Sequence, residues 1–142
     1  MDHVAIMKKS WGLIDKILSG EKTIESRWYK AKYSPWNKIS DGDTVYFKNA
    51  GEPVIAQAQV AKVLQFSHYT DEELIGILSE YSANICFFYD AESVLNWAKD
   101  RRYVILIFIK GARKVKPFLV SKKGFGSACA WMTIEHINTI KI

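Results

Sequence analysis

The hydrophobic and polar positions of the N-terminal segment predict a strand, a helix and a second strand. The apolar segment His3–Met7 predicts the first strand. Apolar residues at helical spacing follow it, with Ser10 placed to cap this helix and Gly20 placed to end it. The segment from Lys22 to Tyr29 alternates in character, which predicts a strand that presents successive side chains on opposite faces.

The rest of the chain predicts further strands. Turn residues, such as Asp41-Gly42-Asp43, separate them. These strands are expected at Thr44–Lys48, Val54–Phe66, Tyr103–Ile109, Val115–Val120 and Ala130–Ile134. The apolar run at Tyr103–Ile109 does not alternate, which predicts a strand that is buried on both faces.

Two helices are predicted between these groups of strands. Thr70 and Glu73 form a capping-box pattern before a helix over 71–81, and Asp90 is suited to cap a helix over 91–100. Five to seven strands with two or three helices predict an α+β domain. We expect a single domain over residues 1–142, built as a small β-barrel flanked by helices.

Composition excludes several classes of protein. The chain has 142 residues, of which 49% are hydrophobic and 25% charged, as in a globular domain. The longest apolar run has seven residues, too few for a membrane-spanning helix. The two cysteines and three histidines have no metal-ligand spacing, so we predict no metal and no cofactor. Free thiols without an export signal predict a cytoplasmic protein.

Charge is distributed unevenly along the chain. Residues 1–48 carry a net charge of +3, residues 49–100 carry −6 and residues 101–142 carry +8. If the two basic segments meet around one cleft, with the acidic helices behind it, the resulting face would attract phosphates and therefore nucleic acid. The alternative interpretation is a solvated surface without a nucleic-acid partner.

The segment from Gly20 to Arg27 is the sharpest candidate site. Glu25 and Arg27 are two residues apart and share one face of the predicted strand, while Lys22 lies near its start. An arginine suits planar, bidentate recognition of phosphates or base edges. The alternative is a surface ion pair that contributes about 0–1 kcal/mol to stability.

These residues match the pattern G-x-K-x-x-E-x-R, through which the chain resembles the ASCH domain of the PUA-like superfamily. The motif covers eight residues, and the order of predicted elements fits most of the chain. The resemblance implies a β-barrel of five or six strands surrounded by helices. It also implies a cleft beside the motif that binds RNA, a nucleotide or a modified nucleoside.

The resemblance leaves two functions open. Some small ASCH proteins remove the acyl group from acetylated cytidine, and others are ribonucleases. Their amidohydrolase lysine corresponds to Lys22, whereas their nucleophilic threonine falls at Glu25, which has no hydroxyl. We therefore expect an RNA- or nucleotide-binding domain. The alternative is a hydrolase in which Glu25 is the general base and Lys22 or Arg27 stabilises negative charge. A second carboxylate within reach would favour hydrolysis.

Further residues are candidates for contact with RNA. Trp36 follows the motif in a polar loop and is suited to stack on a base. Lys48 and Asn49 end a strand at a turn, where they could line the cleft. Lys122 and Lys123 precede a glycine loop that could hold a phosphate, although a solvated hairpin loop has the same pattern. The sequence does not indicate whether the protein is a monomer or an oligomer.

Overall fold

Six strands and three helices make up the chain, and the computed structural model describes all of residues 1–142. The strands are β1 (Asp2–Met7), β2 (Ile24–Tyr29), β3 (Thr44–Asn49), β4 (Val54–Ser67), β5 (Tyr103–Phe118) and β6 (Trp131–Ile134). The helices are α1 (Leu13–Ser19), α2 (Asp71–Ile85) and α3 (Ala91–Ala98). Short 3-10 helices lie at Lys9–Trp11 and Ile137–Thr139.

The six strands form one mixed sheet in the order β2-β5-β4-β3-β1-β6. The β1–β3 pair is parallel and the other pairs are antiparallel. Three register shifts interrupt the β4–β5 pairing, and such bulges bend a strand and increase its twist. The sheet therefore curls into a half-barrel whose two edges are β2 and β6. This architecture confirms the predicted α+β fold.

The centre of β5 holds the core together because both of its faces are covered. Residues Val104 to Ile107 are completely buried. Ile105 and Ile107 pack inside the curled sheet with α1, whereas Val104 and Leu106 pack against α2 and α3. The absence of alternation in this segment therefore corresponds to burial on both faces, as predicted.

Two predicted boundaries in the sheet and the first helix are wrong. Ser10 lies in a 3-10 helix, and α1 begins only after Gly12. The φ of 64° at Gly12 separates the 3-10 helix from α1. Val115–Val120 is not a separate strand, because β5 continues to Phe118. Gly111, with a φ of 62°, lies where Lys110 and Arg113 pair with residues only two apart on β4. The extra residue forms a bulge, so the chain bends without leaving the sheet.

Side-chain caps begin the two longer helices, as predicted. Thr70 accepts a hydrogen bond from the Glu73 amide, and Glu73 accepts one from the Thr70 amide, which completes a capping box. Asp90 caps α3 through the Ser93 amide. However, α2 continues to Ile85, beyond the predicted end at residue 81. None of the three helices combines the length and apolar character needed to span a bilayer.

Candidate functional site

The motif begins where α1 ends and the chain turns into β2. Gly20 has a φ of 83°, a left-handed conformation that glycine adopts without strain, and it ends α1. The Lys22 amide then donates to the Lys16 carbonyl, and the Thr23 amide donates to the Asn84 carbonyl at the end of α2. These bonds position the start of β2 between α1 and α2.

Lys22 is a buried ammonium that connects β2 to α2. Its side chain is 2% exposed, and its Nζ donates to the carbonyls of Ile24, at 2.8 Å, and Ile85. The Ile85 carbonyl belongs to the last turn of α2, the end of a helix that favours positive charge. Burial lowers the pKa of Lys22, and the nearby Glu25 carboxylate partly opposes this shift.

Glu25 places a carboxylate beside this ammonium, and one of its oxygens has no partner. The residue is 4% exposed, and its Oε1 accepts a hydrogen bond from the Ser26 amide at 2.9 Å. Oε1 lies 3.7 Å from Lys22 Nζ, and Oε2 lies 3.8 Å from Arg27 Nη2. Oε2 is buried without a hydrogen bond. A buried acceptor in this state carries a desolvation cost that a ligand donor would relieve.

Arg27 bridges the open side of the half-barrel. From the edge strand β2, its Nη1 donates to the Ala130 carbonyl at 3.1 Å and its Nη2 donates to the Ile6 carbonyl at 3.4 Å. Its guanidinium also lies 5.0 Å from the ring centre of Trp131 in β6. Arg27 therefore connects the two edge strands, β2 and β6, which do not pair with each other, while its Nε is buried without an acceptor.

A cavity of about 700 Å³ opens beside these three residues, which all contribute to its lining. Its charged lining residues are Lys8, Lys22, Glu25 and Arg27, so Glu25 is the only carboxylate there. The aromatic residues of the lining are Trp11, Trp28, Tyr29, Phe87, Phe88, Tyr89 and Trp97. The cavity thus combines aromatic walls with a charged floor.

The aromatic residues pack against one another and leave several rings accessible. Phe88 stacks on Trp11 with ring centres 5.9 Å apart and an interplanar angle of 13°. Tyr89 meets Trp11 edge-on at 6.0 Å, and Trp97 tilts against Trp28 at 5.8 Å. Phe88, Tyr89 and Trp97 are all exposed. Large exposed aromatic rings around a concave site are suited to stack on a planar ligand.

The predicted location of the acidic helices behind the cleft is wrong. The connection between α2 and α3 forms one wall of the cavity, because α2 extends to Ile85 and the chain then reverses at Cys86 with a φ of 59°. The basic segment 101–142 contributes no lining residue. Its strand β5 pairs with β2 along the backbone, and its Ala130 carbonyl and Trp131 ring contact the Arg27 side chain.

Sequence reasoning missed this aromatic wall. The sequence signal for it was the run Cys86-Phe87-Phe88-Tyr89 in the short connection between α2 and α3. A solvent-exposed loop would not require four apolar residues in a row. Alternation along β2 puts Trp28 on the same face as Ile24. The structure buries it with Ile24 against α2 and α3, while part of it also lines the cavity.

The remaining predicted residues lie outside the cavity lining. Trp36 packs edge-on against Tyr103 at 5.0 Å, beside the core. Asn49 donates to Glu52 at 3.5 Å, and Lys123 is exposed. Their side chains are therefore not brought together with the motif.

Lys48 lies one strand away from the cavity, and the positive charge of Lys122 acts on it. Lys48 is 8% exposed, and burial together with the charge of Lys122 lowers its pKa. Lys122 Nζ donates to the Ser127 carbonyl at 2.9 Å. Lys48 pairs in register with Ile6, which lines the cavity and accepts a hydrogen bond from Arg27. No group of His, Cys, Asp and Glu side chains is arranged to hold a metal ion.

Comparison with solved structures shows the fold of an ASCH domain. The chain superposes on ASCH from Zymomonas mobilis with a TM-score of 0.68 and 13% identity, over 97% of this chain and 90% of that one. A Ser-to-Ala variant of that protein gives a TM-score of 0.67 and 14% identity, over 97% and 91% of the two chains. A protein described only as hypothetical gives 0.53 and 20%, over 81% and 100%.

No protein-family model and no curated protein sequence matches the chain. The similarity to solved structures is therefore a similarity of fold at low sequence identity.

Proposed function

We propose that this protein binds RNA or a nucleotide and inserts one base into the cavity beside Lys22, Glu25 and Arg27. The observation that carries the proposal is the composition of the cavity. Aromatic rings form its walls, and its floor holds buried polar atoms that lack partners within the protein. A nucleobase has two apolar faces and a polar edge, so it complements both parts.

The aromatic walls supply the sequence-independent part of the binding. Phe88 is 55% exposed and stacks on Trp11, so its outer surface is accessible to a second planar ring. Stacking of one base on an aromatic side chain contributes about 1–3 kcal/mol and tolerates every base. Together with the exposed rings of Tyr89 and Trp97, Phe88 forms an apolar patch of the kind that marks ligand-binding sites.

The basic residues around the cavity supply phosphate contacts. Lys8 lines the cavity, and Lys48 lies one strand beyond Ile6, where the positive charge of Lys122 lowers its pKa together with burial. Lys48 makes no ion pair with a carboxylate of the protein. A phosphate between these two lysines would relieve their repulsion, so the RNA backbone is proposed to leave the cavity across β1 toward them.

The single carboxylate supports binding rather than hydrolysis. Glu25 interacts with Lys22 and Arg27, and no second carboxylate lines the cavity to share acid and base roles. The hydroxyl nucleophile of the amidohydrolase branch is also absent at this position.

The proposal is tested by fluorescence anisotropy with a labelled single-stranded RNA hexamer at low salt. Phe88→Ala should weaken binding by about tenfold, since it removes one stacking surface. Leu119→Ala is the matched control, because Leu119 is 52% exposed but does not line the cavity. Absence of RNA binding, or equal losses in the two variants, would contradict a base in this cavity.

Catalysis is tested separately with the wild-type protein. Acetylated cytidine and short single-stranded RNA are incubated with it, and the products are separated by chromatography. We expect no product. Multiple-turnover product that disappears in Glu25→Gln would overturn the binding interpretation and establish a hydrolase.

A further inference from the structure

Three charged groups alternate in sign along the cavity floor. The Glu25 carboxylate lies between the Lys22 ammonium, 3.7 Å from Oε1, and the Arg27 guanidinium, 3.8 Å from Oε2. The floor therefore presents a donor, an acceptor and a second donor in sequence. β-strand geometry places Glu25 and Arg27 on the same face of β2, and the turn before β2 positions Lys22.

Each of the three groups retains hydrogen-bonding capacity. Lys22 Nζ has three N–H donors, and its two hydrogen bonds to carbonyls leave one available. Glu25 Oε2 has no hydrogen-bond donor, and Arg27 Nε has no acceptor, although both atoms are buried. An unsatisfied buried donor or acceptor is costly, so a ligand that satisfies these atoms gains affinity and one that opposes them is rejected.

We infer that the cavity selects a base with an imide edge, such as uracil, through Lys22, Glu25 and Arg27. This inference rests on the proposed function and adds base preference to it. The Watson–Crick edge of uracil presents an acceptor, a donor and an acceptor, in the order O4, N3–H and O2. The N3–H donates to Glu25, and the two carbonyl oxygens accept from the cationic groups on either side.

The other bases place a like group against at least one member of the array. Cytosine and adenine direct a ring-nitrogen lone pair at the Glu25 carboxylate, acceptor against acceptor. Guanine can donate its N1–H to Glu25, but its amino group then faces one of the two cations, donor against donor. Specificity thus comes from unpaired groups with the wrong base as well as from pairing with the right one.

The experiment compares RNA hexamers that carry equal numbers of phosphates and differ only in their bases. Uridine, cytidine and adenosine hexamers are measured by anisotropy at one salt concentration, so the phosphate contribution stays nearly constant. We expect the uridine hexamer to bind about 10- to 100-fold more tightly than the others, the range for one well-placed pair of base contacts.

Two methylated uridines provide the matched control for the edge. Methylation at N3 removes the donor, so a 3-methyluridine hexamer should bind as weakly as the cytidine hexamer. Methylation at C5 leaves the edge intact, so a 5-methyluridine hexamer should bind like uridine. These comparisons use only the wild-type protein and need no folded variant.

Glu25→Gln supplies an independent readout. The amide can donate to the ring nitrogen of cytosine, so the preference for uridine over cytidine should fall below about tenfold, while the cytosine amino group still faces one of the two cations. Glu135→Gln, an exposed change outside the cavity, should leave the preference unchanged. Circular dichroism establishes that both variants are folded.

The outcomes separate the inference from the function on which it rests. Equal binding of uridine, cytidine and adenosine hexamers would retain the proposed function and overturn the imide preference. Equal binding of uridine and 3-methyluridine hexamers would overturn it as well. Absence of binding to every hexamer at low salt would overturn both.

Discussion

Replacement of Arg27 by methionine should destabilise the fold, because Arg27 links the two edges of the sheet. The methionine retains a side chain of similar length but removes the donors to the Ala130 and Ile6 carbonyls. It also removes the cation that lies 5.0 Å from the ring centre of Trp131. Arg27 is only 13% exposed, so water compensates for these losses only in part.

The size of the effect follows from these contacts. A hydrogen bond from a charged group contributes about 1.5–3 kcal/mol, and a cation–π contact contributes about 0.5–2 kcal/mol. The carboxylate of Glu25, 3.8 Å from Arg27 Nη2, is also left with Lys22 as its only cation, and loss of one member of a buried pair costs about 3–5 kcal/mol. These terms overlap, so we expect a loss of about 3–5 kcal/mol in the free energy of unfolding.

Urea denaturation followed by circular dichroism measures this loss. With a slope of about 2 kcal/mol per molar urea, the midpoint should fall by about 2 M. Arg27→Lys keeps the charge but not the forked donors, so it should lose about 1–2 kcal/mol. Arg102→Met is the control, because Arg102 is exposed. That change should stay within about 0.5 kcal/mol.

A loss below about 1 kcal/mol for Arg27→Met would refute the reasoning. Arg27 would then contribute no more to the free energy of unfolding than a surface ion pair does, which is the alternative that the sequence left open.

Three further predictions concern the pH dependence of stability, a helix cap and RNA binding. Burial lowers the pKa of His3 below 6.5, so the unfolded chain takes up the proton first and stability should fall as pH drops below about 6.5. His3→Gln should flatten this part of a plot of unfolding free energy against pH. Thr70→Ala removes the capping box and should cost about 1 kcal/mol in urea denaturation. Lys48→Met should weaken RNA binding and reduce the log–log salt slope by about 0.7, the value for one phosphate on a single strand.

Each of these predictions has a control and a contrary outcome. An equally steep pH dependence in His3→Gln would contradict the role of the neutral imidazole, whose Nδ1 accepts from Trp131 Nε1 at 3.1 Å. Thr70→Ser keeps a hydroxyl and should retain most of the stability, so equal losses in both Thr70 variants would argue against the cap. Lys99→Met, in the acidic segment 49–100, should leave the salt slope of RNA binding unchanged.

Patterns within a few residues predicted the local structure well. Alternation along 22–29 predicted that Glu25 and Arg27 share a face, and both line the cavity. The capping box at Thr70 and the doubly buried segment at 104–107 were also predictable. These features depend on backbone geometry and on side chains close in sequence, so a short window contains the information that determines them.

Features that depend on how distant segments pair and pack were not predicted from the sequence. The continuation of β5 through Gly111 required knowledge of its pairing with β4, since a bulge and a loop have similar local sequences. The aromatic wall required the exact end of α2, because an end at residue 81 would not bring Phe88 over Trp11.

The sequence by itself identified the charged residues of the motif that line the cavity, and the tertiary structure decided what those residues contact and which aromatic rings surround them. Arg27 was identifiable as a candidate from its position in the motif. Its acceptors, Ile6 and Ala130, lie 21 and 103 residues away, and Lys22 binds a carbonyl 63 residues away. Such contacts arise only when the sheet has curled and α2 has packed on β2. Because strand order and curvature depend on the whole chain, a motif of eight residues specifies the chemistry of this site but not its surroundings.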